Sequence, residues 1–457
     1  MMVVSKQLQI FFDFLRFCIG SAKDIPSSLK EADWEELYAI AQKQCLVGVL
    51  FDGIKKLPAK YVGMKKEILL KWMAESQMLE KANVRLNDAA IQVSEWFRKK
   101  GFRTCILKGQ GNALMYPNPY SRTPGDIDIW VEGGDKRVIS FVRSISPHEK
   151  ACYHHIEFPS YKGVEVEVHY RPSFLLCFWH NRKLQKYYES VKDEPFSHRV
   201  MLGEQGEIAI PTAEFNLIFQ LTHIFSHLMN EGIGLRQLVD YYYVLCDFYK
   251  VYQKSSKITP SLFTLKEGDF SNHPVPLSKE GSTFSPSPSS SGSGDVTAPS
   301  RCSEPLRSKD GGPSKVSPDC AGWDRLAIEE DNSATAVTSS ASTALVVVQR
   351  ELKYLGLWKF AGAVMYVLHE ALGLSEEKMI VPMDEKRGKL LLAEILNGGN
   401  FGRHFTKYGH FTQQGMAKKY FLKIWRNMHF VRYYPAEALS EPIFRTLHFF
   451  WRLKHRR

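Results

Sequence analysis

The chain has 457 residues, of which 44% are hydrophobic and 24% charged, and its formal net charge is +11 at pH 7. This length suits two or three domains, and the apolar fraction is sufficient for hydrophobic cores. The eight cysteines form no C-x-x-C pair. This pattern excludes a disulfide framework and a cysteine-type zinc site, and it favours a reducing cytoplasm.

Residues 1–100 are predicted to be helical. The first segment, MMVVSKQLQIFFDFLRFCIGS, has Asp13 and Arg16 within its apolar run, which favours an amphipathic helix over a signal peptide. Apolar residues recur at helical spacing in DWEELYAIAQKQCLVGVLFDGIKKL and again over residues 65–100. Gly101 follows as the expected helix C-cap.

The most apolar later stretch is LWKFAGAVMYVLHEALGL. It contains Lys359, His369 and Glu370, and it is too short and too polar to span a bilayer. We therefore predict no transmembrane segment and a cytoplasmic location.

Residues 101–200 are predicted to form an α/β or α+β core, because the hydrophobic period changes there. RTCIL is a short strand, followed by a Gly-rich turn and the short helical segment QGNALMY. DIDIWV is a second strand, and GGDKRVISFVRSI is a helix. HHIEFPSY and VEVEVHY are two further strands, joined by a Lys-Gly turn.

The rest of the chain divides into three regions. Residues 201–254 are predicted to be helical, with Thr212 as an N-cap. Residues 255–343 are rich in Ser, Pro and Gly, and we expect a disordered linker there because such a composition buries too little apolar surface. Residues 344–457 are predicted to be a basic helical region.

Positive charge is concentrated near the end of the chain. Residues 401–457 contain twelve Lys or Arg residues against two Glu residues. The last segment, FRTLHFFWRLKHRR, mixes aromatic and basic side chains, which suits binding to RNA or to an anionic membrane surface. The alternative is a helix whose apolar face packs on the protein while its basic face stays in water.

Asp126 and Asp128 lie one residue apart in the strand DIDIWV. Side chains alternate along a strand, so the two carboxylates share one face, with Cα atoms roughly 6–7 Å apart. Two unpaired carboxylates repel one another, and a divalent cation removes that cost. The pair therefore suggests a metal site.

The turn before this strand supplies candidates for phosphate binding. Gly109 and Gly111 permit close approach of the backbone, and a helix beginning near Gln110 would direct its free amide groups at an anion. Lys108 and Arg122 would add positive charge. Glycine pairs are more often simple turns, so the motif gains specificity from the D-x-D strand that follows it.

A third acid is expected from VEVEVHY, where Glu165, Glu167 and His169 share one face. Such an acid would share the metal or accept the proton of an attacking hydroxyl. The alternative is a half-buried strand whose polar face meets water.

This succession of glycine turn, short helix, D-x-D strand and later strand acid resembles the nucleotidyltransferase fold of the DNA polymerase beta superfamily. ILKGQGNALMYPNPYSRTPGDIDIWV, then VEVEVHY, then LTHIFSHLMNEGIGLRQLVDYYYVL resemble more closely a bacterial family labelled uncharacterised nucleotidyltransferase. The resemblance covers about residues 100–245. It implies a small mixed sheet between flanking helical regions, an α+β fold, and an NTP as donor.

The resemblance also implies roles for individual residues. Asp126 and Asp128 would hold Mg²⁺, and Glu167 would be the third catalytic and metal-binding acid. The wider superfamily has Gly-Ser or Gly-Gly-Ser at the turn, whereas this chain has Lys-Gly-Gln-Gly. Lys108 or backbone amides would therefore bind the phosphates.

A set of residues is expected to line the acceptor side of the cleft: His169, His223, His227, Arg236 and Asp240. The histidine pair at i and i+4 is also compatible with hydrogen-bonded core histidines, and the Arg-Asp pair with an intrahelical ion pair. His154 and His155 are expected to be strand residues rather than ligands.

Together these features predict a Mg²⁺-dependent nucleotidyltransferase that moves an NMP group from an NTP, with ATP as the expected donor, to a hydroxyl of an unidentified acceptor. Two Mg²⁺ ions are compatible with the motif, and Mn²⁺ is expected to substitute. The alternative is a catalytically inactive nucleotide-binding or nucleic-acid-binding protein on the same fold.

Overall fold

Four helices form the N-terminal region, as the spacing of apolar residues predicts. A computed structural model describes residues 5–204, 206–255, 334–404 and 416–455. The helices are α1 (Lys6–Ile19), α2 (Trp34–Gln44), α3 (Val47–Lys55) and the long α4 (Lys66–Lys99). The Ser5 and Asp33 side chains cap α1 and α2 by accepting backbone N–H groups. Gly101 takes a positive φ of 81° just beyond α4, in agreement with its predicted role.

A four-stranded mixed sheet follows. Its strands are β1 (Thr104–Leu107), β2 (Ile127–Val131), β3 (His155–Tyr161) and β4 (Val164–His169), in the spatial order β1-β2-β4-β3. Strand β2 runs antiparallel to β1 and parallel to β4, and β3 runs antiparallel to β4. Lys162 and Gly163 both have positive φ, which suits the tight turn predicted between β3 and β4.

Two helices accompany this sheet. The five-residue α5 (Gly109–Ala113) follows β1, and α6 (Gly134–Ile145) follows β2. Ile106, Ile129 and Val168 are buried in one hydrophobic cluster together with residues of α4 and α6. The predicted α+β class with a small mixed sheet is therefore confirmed, in a chain that is mostly helical.

A second, two-stranded sheet occurs at residues predicted to lie near the start of a helical region. After α7 (Phe178–Val191) and α8 (Asp193–Ser197), strand β5 (Arg199–Leu202) pairs antiparallel with β6 (Gly206–Ala209). Ile208 is fully buried in the cluster around the main sheet. Each strand has only four residues, so tertiary packing rather than a long alternating pattern sets this hairpin.

Helices α9 (Ala213–Asn230) and α10 (Leu235–Ser255) pack against each other, and α10 also contacts α5. Thr212 caps α9, as predicted, by accepting the Phe215 backbone N–H at 3.4 Å. Both helices contribute many buried side chains to the larger hydrophobic core, which also includes α1 and α3.

The described residues from 334 onwards form five α-helices: α11 (Ala334–Tyr354), α12 (Trp358–Leu372), α13 (Glu385–Gly398), α14 (Met416–Met428) and α15 (Pro435–Lys454). The linker predicted at residues 255–343 falls mainly on residues 256–333, which lie outside the described residues. Helix α11 begins at Ala334, so the end of that segment is helical. No helix among the described residues is long and apolar enough to cross a membrane.

The C-terminal helices pack on the N-terminal two thirds of the chain. Phe225 of α9 stacks on Phe360 of α12, with 4.3 Å between ring centroids. Arg426 of α14 donates to the Leu228 carbonyl at 2.7 Å. All described residues belong to one compact unit. This packing brings the basic C-terminal region beside the cleft described below.

Candidate active site

A cleft of about 730 Å³ opens where the main sheet meets α9, α10 and the C-terminal helices. One wall comes from β2, β4 and the turn after β1. The opposite walls come from α9, α10, α14, α15 and a short segment around Phe401. The cleft therefore contains the D-x-D strand together with elements more than 250 residues further along the chain.

Asp126, Asp128 and Glu167 meet in this cleft. Asp128 and Glu167 are register partners on the parallel neighbours β2 and β4, and Asp126 immediately precedes β2. Each of the three offers one carboxylate oxygen, and these oxygens lie within 4.8 Å of one another. The structure thus brings together the three acids that the sequence singled out, in a geometry that suits one divalent cation.

Asp128 is almost fully buried, at 5% exposure, and it is surrounded by cations. Its two oxygens contact Lys108 Nζ and His169 Nε2, each at 2.9 Å. Burial alone would raise the pKa of Asp128, but Lys108 and the hydrogen bond from His169 outweigh burial and hold that pKa well below its usual value. Asp128 is therefore ionised at neutral pH.

The same network of charges shifts the pKa values of Asp126 and His169. The charge on Asp128, followed by enclosure in the cleft, raises the pKa of Asp126 to about 6. Burial opposes the charged form of His169, but hydrogen bonds to Asp128 and Glu167 dominate and raise its pKa to about 9. Without a bound metal, His169 is thus an imidazolium that balances the carboxylates.

Lys108 owes its position to the turn after β1. Leu107 is the register partner of Asp128, so the turn that starts at Lys108 begins at this end of β2. Lys108 has φ 53° and ψ −135°, a conformation that is costly for a non-glycine residue, and Gly109 follows with φ 46°. In this conformation the Lys108 ammonium lies between Asp128 and His223, and its Nζ is 2.9 Å from His223 Nε2.

The two glycines of the turn have different environments. Gly109 lines the cleft, whereas Gly111 faces away from it and packs on Ile210. A Cβ at Gly111 would lie 3.1 Å from Ile210 Cγ2, so close packing explains this glycine. The structure does not bring Gly111 to the phosphate position that the sequence predicts. The short α5 also offers little helix dipole for anion binding.

Arg122 forms a buried ion pair with Asp240. Its Nε and Nη2 atoms donate to the two oxygens of Asp240, each at 2.8 Å, and Tyr116 donates to the same carboxylate at 2.7 Å. Arg122 is only 4% exposed. Arg122 and Asp240 both line the cleft, and their ion pair braces it by joining the segment before β2 to α10.

Four predicted cleft residues on α9 and α10 border the cavity: His223, His227, Arg236 and Asp240. His223 contacts Lys108, and its ring lies 4.3 Å from that of His227. Arg236 donates to the Thr123 carbonyl at 3.0 Å, while its buried Nε has no hydrogen-bond partner. Asp240 is paired with Arg122 across the fold, which replaces the intrahelical Arg236–Asp240 pair considered from sequence.

His154 and His155 lie closer to the acids than their expected role as plain strand residues implies. His155 Nδ1 is 3.2 Å from Glu167 Oε2, and His154 Nε2 is 3.1 Å from the same His155 nitrogen. Both histidines border the cleft.

The C-terminal wall of the cleft was not predicted from the sequence. Its basic side chains are Arg403, Lys423 and Arg445, and its aromatic side chains are Phe401 and Phe444. The charge excess of residues 401–457 was the available signal. Which of those residues face the cleft depends on long-range packing of α14 and α15, which a local pattern does not encode.

Comparison with known proteins agrees with the geometry of the core. Residues 30–252 match the model of a family described as uncharacterised nucleotidyltransferase. No curated protein and no solved structure matches the chain. The matched region includes the four-stranded sheet, the three acids and most of α10, whereas the C-terminal wall lies beyond it. Residues 30–252 are therefore a region of the uncharacterised nucleotidyltransferase family.

Proposed function

We propose that the protein is a divalent-metal-dependent nucleotidyltransferase that moves an NMP group from an NTP, with ATP as the expected donor, to an acceptor hydroxyl. One observation carries the proposal: Asp126, Asp128 and Glu167 converge within 4.8 Å on the floor of a large cleft. The family match of residues 30–252 supports the same reaction class.

The three carboxylates fit Mg²⁺. All three donors are hard oxygens, which Mg²⁺ prefers, and three protein oxygens leave coordination positions for water and phosphate. Asp126, Asp128 and Glu167 would hold the ion, and Mn²⁺ would fit the same donors. When bound, the ion would stabilise negative charge that develops on the transferred phosphoryl group.

The chain's own residues would position the reactants. Lys108, fixed between Asp128 and His223, presents a cation beside the carboxylates. Arg236 and the basic C-terminal wall would bind the remaining phosphates. The acceptor oxygen would form a bond to the α-phosphorus while the bond to the β-phosphate breaks and pyrophosphate leaves. Glu167, the third acid, would accept the proton that the hydroxyl loses as this bond forms.

A specific observation also favours the non-catalytic alternative. Asp128 already has two cationic partners, Lys108 Nζ and His169 Nε2, each at 2.9 Å. A carboxylate balanced in this way does not require a metal, so a protein that only binds a nucleotide or a nucleic acid would also keep this network.

Incubation with each α-labelled NTP, Mg²⁺ and a cell extract distinguishes a transferase from a protein that only binds a nucleotide or a nucleic acid. A transferase labels an acceptor and releases pyrophosphate, whereas a binder releases none. Asp128→Asn should abolish labelling while the circular-dichroism spectrum is unchanged. Asp88→Asn is the matched control, because Asp88 makes only a surface ion pair with Lys162. Full labelling by Asp128→Asn would contradict the proposal.

A further inference from the structure

A second group of metal-ligating side chains lies directly beside the acid triad. His155 on β3, Glu167 on β4 and His169 at the end of β4 each offer one atom, and these atoms lie within 4.8 Å of one another. His155 and His169 are register partners on adjacent antiparallel strands, which places their imidazoles on the same side of the sheet. Glu167 belongs both to this group and to the acid triad.

Two of the three distances between the ligand atoms match a tetrahedral coordination shell. His155 Nδ1 and His169 Nε2 are 3.2 and 3.4 Å from Glu167 Oε2. Zinc bonds of about 2.0–2.1 Å in a tetrahedron place neighbouring ligand atoms about 3.3–3.4 Å apart. The Glu167 oxygen thus lies at ligand spacing from both histidines, and the two histidine ligand atoms lie within 4.8 Å of one another.

The orientation of His169 is fixed by a contact outside this group. Its Nδ1 lies 3.3 Å from the Arg171 carbonyl oxygen. A carbonyl accepts hydrogen bonds, so the proton stays on Nδ1, and Nε2 faces Glu167 and Asp128. Metal-binding histidines are commonly held in this way by a hydrogen bond to their second nitrogen.

The donor set also indicates which kind of ion would bind. Two imidazoles and one carboxylate form a ligand set found in catalytic zinc sites, with the fourth position open. Imidazole suits Zn²⁺ and similar transition metals, whereas Mg²⁺ favours oxygen ligands. The acid triad and this group are thus chemically different sites that share Glu167.

We propose that His155, Glu167 and His169 form a second cation site, selective for Zn²⁺ or a similar transition-metal ion over Mg²⁺. All three residues border the cleft, from which a water molecule or a phosphate oxygen would complete the shell. The site goes beyond the proposed nucleotidyltransferase activity, because binding of the ion does not require turnover.

Zinc binding by the untagged, chelator-treated full chain tests the proposal directly. Isothermal titration should give one Zn²⁺ equivalent that persists in excess Mg²⁺. His155→Gln should weaken this binding by at least about tenfold. The exposed His198, whose Nδ1 contacts a backbone carbonyl, provides the matched control: His198→Gln should bind Zn²⁺ as the unmodified chain does.

Cobalt substitution supplies a measurement that needs no variant. Co²⁺ in a four-coordinate nitrogen and oxygen site gives intense visible absorption, whereas Co²⁺ held by six oxygens absorbs weakly. We expect the intense spectrum, and we expect Zn²⁺ but not Mg²⁺ to remove it. A weak spectrum, or equal Zn²⁺ affinity in the unmodified chain and His155→Gln, would overturn the proposal.

The same assays keep this inference separate from the proposed function. Asp126→Asn removes a ligand of the acid triad but none of the histidine site. It should lose nucleotidyl transfer and keep the cobalt spectrum. Full transfer by Asp126→Asn would contradict the acid triad, whereas loss of the cobalt spectrum in this variant would contradict a separate histidine site.

Discussion

Individual side chains determine how the cleft is charged, and the sequence identified most of them. Asp126, Asp128 and Glu167 were predictable because strand alternation and a known motif place them on one face. The phosphate-binding role of Arg122 stays a prediction, but its buried ion pair with Asp240, 118 residues away in the chain, was not predicted. Local patterns do not encode such a long-range pair.

The Arg122–Asp240 pair leads to a stability prediction. Arg122→Met leaves the Asp240 carboxylate buried without its bidentate partner, which should lower the free energy of unfolding by about 3–5 kcal/mol. Chemical denaturation measures the change. Lys162→Met, which removes an exposed ion pair with Asp88, should change it by less than about 1 kcal/mol. Equal effects of the two substitutions would show that the buried pair is not a structural brace.

The raised pKa of Asp126 leads to a pH prediction. Asp128 and the enclosed site raise that pKa to about 6, so the carboxyl is neutral below pH 6 and ionised above it. A metal ion must displace the proton at low pH, so Mn²⁺ affinity should rise as the pH increases to about 6 and then change less steeply. Mn²⁺ titrations between pH 5 and pH 8 test this. An affinity independent of pH across that interval would contradict it.

At the scale of helices and strands, long periodic segments were predictable and short ones were not. The N-terminal helices, α9 and the β3–β4 hairpin follow clear hydrophobic periods and turn residues. The β5–β6 hairpin has four residues in each strand, and its stability comes from packing against β1 and α4. Its sequence, VML and EIA, does not by itself distinguish strand from helix.

Contact between α3 and the segment before β2 gives a prediction at this scale. A Cβ at Gly48 would lie 2.3 Å from the Ser121 carbonyl oxygen, a backbone atom that no rotamer change can move. Gly48→Ala should therefore destabilise the fold by at least about 1–3 kcal/mol, and it should displace the neighbouring Arg122. Gly63→Ala is the control, because no heavy atom lies within 4 Å of the added Cβ. Similar melting temperatures for both variants would contradict the close contact.

At the scale of the whole molecule, the cleft depends on segments far apart in sequence. The family match ends at residue 252, yet Lys423 and Arg445 of the C-terminal helices border the same cavity as the acids. The charge excess of that region was visible in the sequence. Its position opposite the acids was not, because it results from packing of α14 and α15 on α9.

The predicted linker, residues 255–343, lies mainly outside the described residues. Its Ser-, Pro- and Gly-rich composition predicts little buried apolar surface. Replacing residues 260–330 with a flexible Gly/Ser linker of equal length should therefore change the melting temperature by less than about 2 °C. A large fall, measured by differential scanning calorimetry, would show that this segment stabilises the fold.

The central claim is that three carboxylates from β2 and β4 hold one divalent cation. Anomalous diffraction at the manganese edge, from crystals soaked in Mn²⁺, tests it most directly. We predict an anomalous peak that lies about 2.0–2.2 Å from one carboxylate oxygen of each of Asp126, Asp128 and Glu167. Mn²⁺ bound elsewhere, with Lys108 and His169 still in contact with the Asp128 carboxylate, would contradict this three-carboxylate site.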